Sequence, residues 1–131
     1  MPRSWLMQHP FDPEFPYPSL ENIEWGHRIS SAGLPIRYVP QAVCFHDHLY
    51  RGPADYRFRA RVSGAAARWV VKRHPSLLWP LILRPLAAAK ARSLTMLWPG
   101  NWNRRMMWDL DFRCNYVLGI LQPRRADRLH G

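Results

Sequence analysis

The pattern of apolar and polar residues divides the first half of the chain into short elements. Residues 1–18 hold five prolines and show no periodicity, which predicts an extended loop. A helix is predicted over residues 20–32, with Ser19 as its N-cap and Gly33 at its end. Two short strands, LPIRYVP and AVCFH, follow on either side of a turn at Pro40–Gln41. A helix and two strands with tight connections predict the edge of an α/β sheet.

The second half is predicted to be mainly helical. A helix over residues 54–73 should end at the HPS tripeptide, because the residue before a proline avoids helical angles. The apolar segment 76–94 contains prolines and an arginine and falls short of the ~20 apolar residues of a membrane span. It is either a kinked core helix or a helix lying flat in a membrane interface. The last helix, 103–121, is expected to turn one apolar stripe toward the core: Met107, Leu110, Cys114, Val117, Leu118 and Leu121.

Charge separates the same two halves. Residues 1–50 carry three Arg and five acidic residues, whereas residues 51–131 carry sixteen Lys or Arg and four acidic residues. A strongly basic half favours an anionic partner such as a lipid surface, a nucleic acid or a phosphorylated substrate. Two distant cysteines match no metal or redox spacing and suggest a reducing compartment. Because the net charge changes from negative to positive after residue 50, we predict two regions, 1–50 and 51–131.

Two groups of residues in the first region are candidates for chemistry. On the predicted helix, Glu24 and Arg28 are four residues apart and can form an ion pair. Such a pair is also common on an ordinary solvent-exposed helix that has no catalytic role. His46 and His48 share one face of the second predicted strand. That spacing suits either a metal ion or two solvent-facing imidazoles. The alternatives stay open on spacing alone.

The order of these motifs resembles the acceptor side of the GT-A glycosyltransferases, especially family 2. The resemblance runs through FDPEF, a Tyr, LENIEWGHRI, a Gly, a Val-Pro strand and a final His, over residues 11–48. It implies a truncated GT-A (Rossmann-like) sheet edge with one helix, followed by a mainly α-helical extension. It also implies transfer of a sugar from a nucleotide-sugar to a hydroxyl acceptor in polysaccharide, glycolipid or cell-wall synthesis.

The resemblance also implies roles for individual residues. Glu21, Asn22 and Glu24 occupy the catalytic acidic-motif positions, where a carboxylate removes the proton of the attacking hydroxyl. Trp25 and Arg28 take substrate-binding positions, where Trp25 either stacks on a sugar ring or is buried against the predicted sheet. His46, with His48 as the second candidate, takes the position of the histidine that helps bind divalent Mg or Mn beside the leaving diphosphate. Asn22 stands where the family usually carries Asp, so catalysis would depend on Glu21 or Glu24.

The nucleotide-binding half of such an enzyme, with its Asp-x-Asp metal motif, is not in this sequence. We expect a longer gene product or a partner chain to supply it, and whether this chain alone is an enzyme stays open. The DLD triplet at Asp109 and Asp111 lies within a helical pattern and is not expected to replace that motif. The expected location is cytoplasmic, with peripheral contact to the inner face of the membrane. The alternative function is a non-enzymatic basic helical module that binds an anionic membrane or, with poorer geometry for base stacking, nucleic acid.

Overall fold

The computed structural model describes residues 3–45, 51–97 and 103–122. Within these ranges every regular element is helical. The chain divides into two compact units, Met1–Leu49 and Tyr50–Gly131. The first unit contains α1 (Arg3–Gln8) and α2 (Glu21–Ser31); the second contains α3 (Pro53–Arg73), a 3₁₀ turn (Pro75–Leu77), a π-helical turn (Trp79–Leu83), α4 (Arg84–Thr95) and α5 (Arg104–Leu121).

The predicted α/β class is wrong, and so is the truncated GT-A sheet edge. Residues 34–45, which include the first predicted strand and most of the second, form no strand in the described part of the chain. The turn between them is present, since the Ala42 N–H donates to the Val39 carbonyl at 3.1 Å. A strand needs a neighbouring strand to satisfy its backbone groups, and the described residues supply none. The alternating side chains consequently stay in solvent, with Tyr38 89% and Phe45 96% exposed.

Helix α2 begins and ends by different devices. Its N-cap is Leu20 rather than the predicted Ser19, and Leu20 adopts the left-handed conformation with φ of 66°. Its C-terminus confirms the predicted Gly33, which has φ of +91°. The Gly33 N–H donates to the Ser30 carbonyl at 3.0 Å and the Leu34 N–H to the Ile29 carbonyl at 3.1 Å. This pair of bonds is the Schellman motif, which explains the need for glycine.

Helices α3 and α5 form the centre of the second unit because two glycines let their backbones meet. A Cβ built on Gly64 of α3 would lie 2.9 Å from the Tyr116 carbonyl carbon. A Cβ on Gly119 of α5 would lie 2.8 Å from the Arg61 carbonyl carbon. Real Cβ atoms do not approach a backbone so closely, so both positions require glycine. Small residues elsewhere on α3, including Ala60, Ala66 and Ala67, complete the buried surface.

The end of α3 confirms the predicted break, because His74 before Pro75 has extended angles (φ −129°, ψ 79°). The next segment is helical but irregular, with the Arg84 N–H bonding the Trp79 carbonyl in an i to i+5 pattern. In an α-helix the Leu81 carbonyl would accept from residue 85, but Pro85 has no N–H. The Tyr116 hydroxyl donates to that carbonyl instead, at 2.9 Å, and so connects α5 to the π-helical turn.

Helix α5 begins as predicted but buries a different face. Its N-cap Asn103 accepts a hydrogen bond from the Met106 N–H at 2.9 Å. The buried residues are Asn115, Tyr116, Gly119 and Ile120. The predicted core stripe instead faces outward: Met107, Cys114, Leu118 and Leu121 are exposed, and Leu110 and Val117 are half-buried. The close glycine crossing decides which face of α5 meets α3.

Candidate functional site

In the first unit, α2 holds the preceding loop through its Trp and Arg side chains. The Trp25 indole N–H donates to the His9 carbonyl at 2.7 Å, and its ring stacks on Phe11 with centroids 4.9 Å apart. The Arg28 guanidinium donates to the Pro10 carbonyl at 2.8 Å. The loop that carries FDPEF is therefore anchored against the helix that carries ENIEWGHR.

The FDPEF turn is closed by its own aspartate. The Glu14 N–H donates to the Asp12 carboxylate at 2.9 Å, and the Phe15 N–H donates to the Asp12 carbonyl at 3.2 Å. Asp is favoured at such turns because its side chain can accept a hydrogen bond from the backbone two residues further on. The spacing of Asp12 within the motif thus has a local structural reason.

Glu24 is the buried carboxylate of α2. Its residue is 2% exposed, and its Oε1 atom accepts from Arg28 Nε at 2.7 Å. The predicted i,i+4 ion pair is therefore present, but on the packed side of the helix. Because Arg28 also holds the Pro10 carbonyl, the pair connects the helix to the loop. This geometry suits a positioning role for Glu24 and Arg28.

Glu21 and Asn22 form the solvent-facing first turn of α2. Both side chains are exposed, in contrast to Glu24. Leu20 immediately before them holds a left-handed conformation, which for a residue with a Cβ costs about 1–2 kcal/mol. Backbone strain of this kind concentrates at functional sites. The first turn of α2 presents one accessible carboxylate, that of Glu21.

The two predicted metal ligands cannot be placed. His46 and His48 lie outside the described residues. Within the described ranges, no group of three or more His, Cys, Asp or Glu side chains is arranged to hold a metal ion.

The DLD aspartates of α5 take part in ion pairs. Asp109 accepts from Arg92 at 2.9 Å and from Arg113 at 3.0 Å. The Arg113 guanidinium, with a further contribution from Arg92, holds the pKa of Asp109 below its usual value, although partial burial opposes the shift. Asp111 accepts from Arg57 at 2.7 Å. Both carboxylates thus connect α5 to its neighbouring helices.

Three arginines of α3 bind α5 in the same way. Besides Arg57, Arg61 donates to the Asn115 side chain at 2.9 Å and Arg68 to the Ile120 carbonyl at 3.1 Å. Their spacing along α3 follows the helical repeat, which is the signal in the sequence that could have indicated a shared face. The guanidinium groups of Arg57, Arg61 and Arg68 therefore connect α3 to α5.

The second unit also contains an apolar cleft of about 540 Å³. This volume lies within the usual range of small-molecule pockets. The cleft is lined by side chains from α3, α5 and the end of α4: Pro53, Arg57, Met96, Met107, Trp108, Leu110, Asp111 and Cys114. Its polar groups, Arg57 and Asp111, are already paired with each other. The cleft therefore presents mainly apolar surface.

Two broader findings bear on function. Among the described helices, none combines the length and the apolar character needed to cross a bilayer. Comparisons with protein-family models, with curated proteins and with solved structures find no match for this chain.

Proposed function

We propose that residues 11–48 form the acceptor side of a sugar-transfer site and that the protein is part of a glycosyltransferase resembling family 2. The complete enzyme transfers a sugar from a nucleotide-sugar to a hydroxyl acceptor in polysaccharide, glycolipid or cell-wall synthesis. The observation that carries this proposal is the packing of FDPEF against ENIEWGHR. The stacked Phe11 and Trp25 rings and the Arg28 bond to Pro10 bring together two motifs that the resemblance links only by their order.

In the proposed reaction, Glu21 is the general base. Its carboxylate accepts the proton of the acceptor hydroxyl as that oxygen forms a bond to the anomeric carbon of the donor. The bond between the anomeric carbon and the diphosphate oxygen breaks, and its electron pair leaves with the nucleotide diphosphate. Glu21 suits this role because it is exposed at the first turn of α2. Asn22 has no carboxylate, and Glu24 is buried.

The other motif residues are positioning residues in this proposal. Glu24 fixes Arg28, and Arg28 and Trp25 fix the loop on which the first turn of α2 depends. One face of Trp25 is covered by Phe11, so a sugar ring would contact its remaining surface. A rigid first turn keeps the base at hydrogen-bond distance from the acceptor hydroxyl. Holding the two reacting groups in this geometry raises the rate of proton transfer.

The donor side of the site comes from elsewhere in this proposal. A nucleotide-binding region, in the same polypeptide or in a partner chain, binds the donor. By the resemblance, His46 and His48 would help to hold divalent Mg or Mn, which when bound neutralises charge on the leaving diphosphate. The proposed location is the inner face of the membrane, where lipid-linked acceptors are accessible.

The alternative of nucleic-acid binding through α3 has less support. Three of the basic side chains of that helix, Arg57, Arg61 and Arg68, donate hydrogen bonds to α5. A nucleic acid would have to compete with these bonds for the same guanidinium groups. The aromatic residues Phe58 and Trp69 are half-buried on the packed stripe, where bases cannot easily stack.

The proposal is tested by sugar incorporation in extracts of cells that lack the gene and are complemented with variants. A panel of radiolabelled nucleotide-sugars identifies the donor with the wild-type gene. Glu21→Gln should then lower the transfer rate by roughly 100-fold or more, the usual effect of losing a general base. Its thermal unfolding temperature should stay unchanged because Glu21 is exposed. Gln8→Ala, at an exposed residue of the same unit outside residues 11–48, is the control and should keep full activity.

Glu24→Gln separates positioning from base catalysis. It removes the charge partner of Arg28, so thermal stability and transfer should fall together. Loss of transfer in Glu21→Gln with an unchanged unfolding temperature supports the assignment of the base. If no nucleotide-sugar labels any product in a gene-dependent way, the proposal is wrong.

A further inference from the structure

The second unit exposes apolar and basic side chains around the turn that joins α3 to α4. Three apolar side chains are exposed in this short stretch: Leu78 (41%), Trp79 (64%) and Leu83 (41%). The basic side chains of Lys72 and Arg84, which flank it, are also exposed, whereas the Arg73 guanidinium lies over the Trp69 ring at 3.6 Å. Leu78, Trp79, Leu83, Lys72 and Arg84 form what we call the Trp79 surface.

The π-helical turn groups the three apolar residues on one side. Trp79 and Leu83 are four residues apart, and Leu78 and Leu83 are five apart. Because one turn of an i to i+5 helix takes between four and five residues, the side chains of each pair lie on the same face. Leu81 belongs to the opposite, half-buried side, where its carbonyl accepts the Tyr116 hydroxyl. The turn that carries the Trp79 surface is therefore bonded to α5 through its opposite side.

The charge around this surface is of one sign over a long stretch of sequence. No Asp or Glu occurs from Tyr56 to Trp108, a span that contains eleven Lys or Arg. Arg57, Arg61 and Arg68 within this span hold α5, whereas Lys72 and Arg84 extend from exposed positions beside the apolar residues. A partner for this surface should therefore be anionic.

Among anionic partners, the side-chain chemistry selects a lipid bilayer. Leucine has no face on which a base can stack, so Leu78 and Leu83 would gain nothing from nucleic acid. In a bilayer interface, leucine side chains enter the acyl boundary, tryptophan sits at the headgroup level, and Lys and Arg meet the phosphates. Apolar and electrostatic attraction then add on the same surface.

We propose that the Trp79 surface docks the protein peripherally on membranes that contain anionic lipid. Trp79, Leu78 and Leu83 enter the interface, and Lys72 and Arg84 lie at the headgroup phosphates. The inference rests on the second unit alone. It stands whether or not the first unit takes part in sugar transfer.

The test is co-sedimentation of the full chain with phosphatidylcholine vesicles, with and without phosphatidylglycerol. The wild type should bind only the vesicles that contain phosphatidylglycerol, and salt should weaken binding. Lys72→Ala with Arg84→Ala should reduce the partition coefficient about 25-fold, since each basic residue near the surface contributes about fivefold. Trp79→Ala with Leu83→Ala should reduce it about tenfold because apolar burial is lost.

Matched controls come from exposed residues of α5. Arg104→Ala with Arg105→Ala removes the same charge elsewhere in the unit, and Met107→Ala with Leu121→Ala removes exposed apolar groups. These pairs should keep most of the binding, and circular dichroism should show that every variant is folded. Control variants that lose as much binding as the Trp79-surface variants would overturn the proposal. So would binding to single-stranded DNA with none to the anionic vesicles.

Discussion

At the scale of single residues, Tyr116 shows how one hydroxyl compensates for a proline. Pro85 cannot donate to the Leu81 carbonyl, and the Tyr116 hydroxyl does so across the unit at 2.9 Å. The ring is 9% exposed, and burial raises the pKa of the hydroxyl to about 12. Only the protonated phenol can donate this bond. Its contribution to stability is therefore tied to pH.

Tyr116→Phe should destabilise the protein by about 1–2 kcal/mol, because a carbonyl in the interior loses its donor. Urea unfolding at neutral pH, followed by circular dichroism, measures this loss. The matched control is Tyr38→Phe, since Tyr38 is 89% exposed and should contribute nothing measurable. Equal stabilities of wild type and Tyr116→Phe would contradict the assigned role.

The pH dependence of the Tyr116 contribution follows from its raised pKa. The folded pKa of about 12 lies above the ordinary value of 10.0, so the folded state holds the proton more tightly than the unfolded state. The stabilisation is complete below pH 10.0 and is lost as the pH rises through about 12. The difference in stability between wild type and Tyr116→Phe should therefore shrink over that interval. A difference that stays constant would argue against a buried phenol.

At the scale of elements, the crossing of α3 and α5 depends on Gly64 and Gly119. Alanine at either position should destabilise the second unit by about 1–3 kcal/mol, because the added methyl meets backbone atoms that cannot move aside. This outweighs the gain of up to about 1 kcal/mol in helix propensity. Thermal and urea unfolding measure the effect. The double variant should lose less than the sum, since the first methyl already separates the helices.

Gly26→Ala is the matched control for the glycine crossing. Gly26 also lies within a helix, but a Cβ there would meet only Ile36 at an ordinary 3.7 Å. Alanine should therefore be neutral or stabilise α2 by about 0.5–1 kcal/mol. If Gly64→Ala and Gly119→Ala behave like this control, the close crossing is wrong.

The face that α5 buries can be tested through its cysteine. Cys114 lies in the middle of the exposed stripe and should react with a thiol reagent in the native protein without prior unfolding. A Cys44→Ser background removes the other thiol, which is also exposed. If the apolar stripe formed the core instead, Cys114 would be protected until the protein unfolds. Ellman's reagent distinguishes the two arrangements.

Local signals predicted the helices of the second unit well. The break before Pro75 and the apolar periodicity of 103–121 are local signals, so the predicted ranges 54–73 and 103–121 are nearly those observed. The prediction of two strands was wrong because a strand is stable only when paired with other strands, which can be distant in the sequence. The predicted buried face of α5 was wrong because the close approach of Gly64 and Gly119, which lie on separate helices, decides which side of α5 packs against α3.

The candidate site was predictable to a similar extent. The Glu24–Arg28 pair follows from helical spacing and is present at 2.7 Å. The bonds from Trp25 and Arg28 to the carbonyls of His9 and Pro10 were not predictable, because a backbone carbonyl is present at every residue and leaves no signature in the sequence. Burial therefore distinguished Glu24 from Glu21, which the sequence alone treats alike.

At the scale of the whole molecule, charge and chemistry are divided between the two units. The first fifty residues have a net charge of −2 and contain the accessible carboxylate of Glu21. The remainder has a net charge of +12 and contains the Trp79 surface. We propose that the second unit brings the protein to anionic lipid and that the first supplies a base for sugar transfer. Substitutions at Glu21 and in the Trp79 surface are therefore expected to test the two proposals separately.

The most direct test of the central claim is rescue of the base in the sugar-incorporation assay. Asn22→Asp places a carboxylate on the residue next to Glu21, where the resemblance expects one. Glu21→Gln alone should abolish most transfer. The double variant Glu21→Gln with Asn22→Asp should transfer sugar at least about tenfold faster than Glu21→Gln alone. Unchanged transfer in Glu21→Gln would contradict the claim that the first turn of α2 carries the catalytic base.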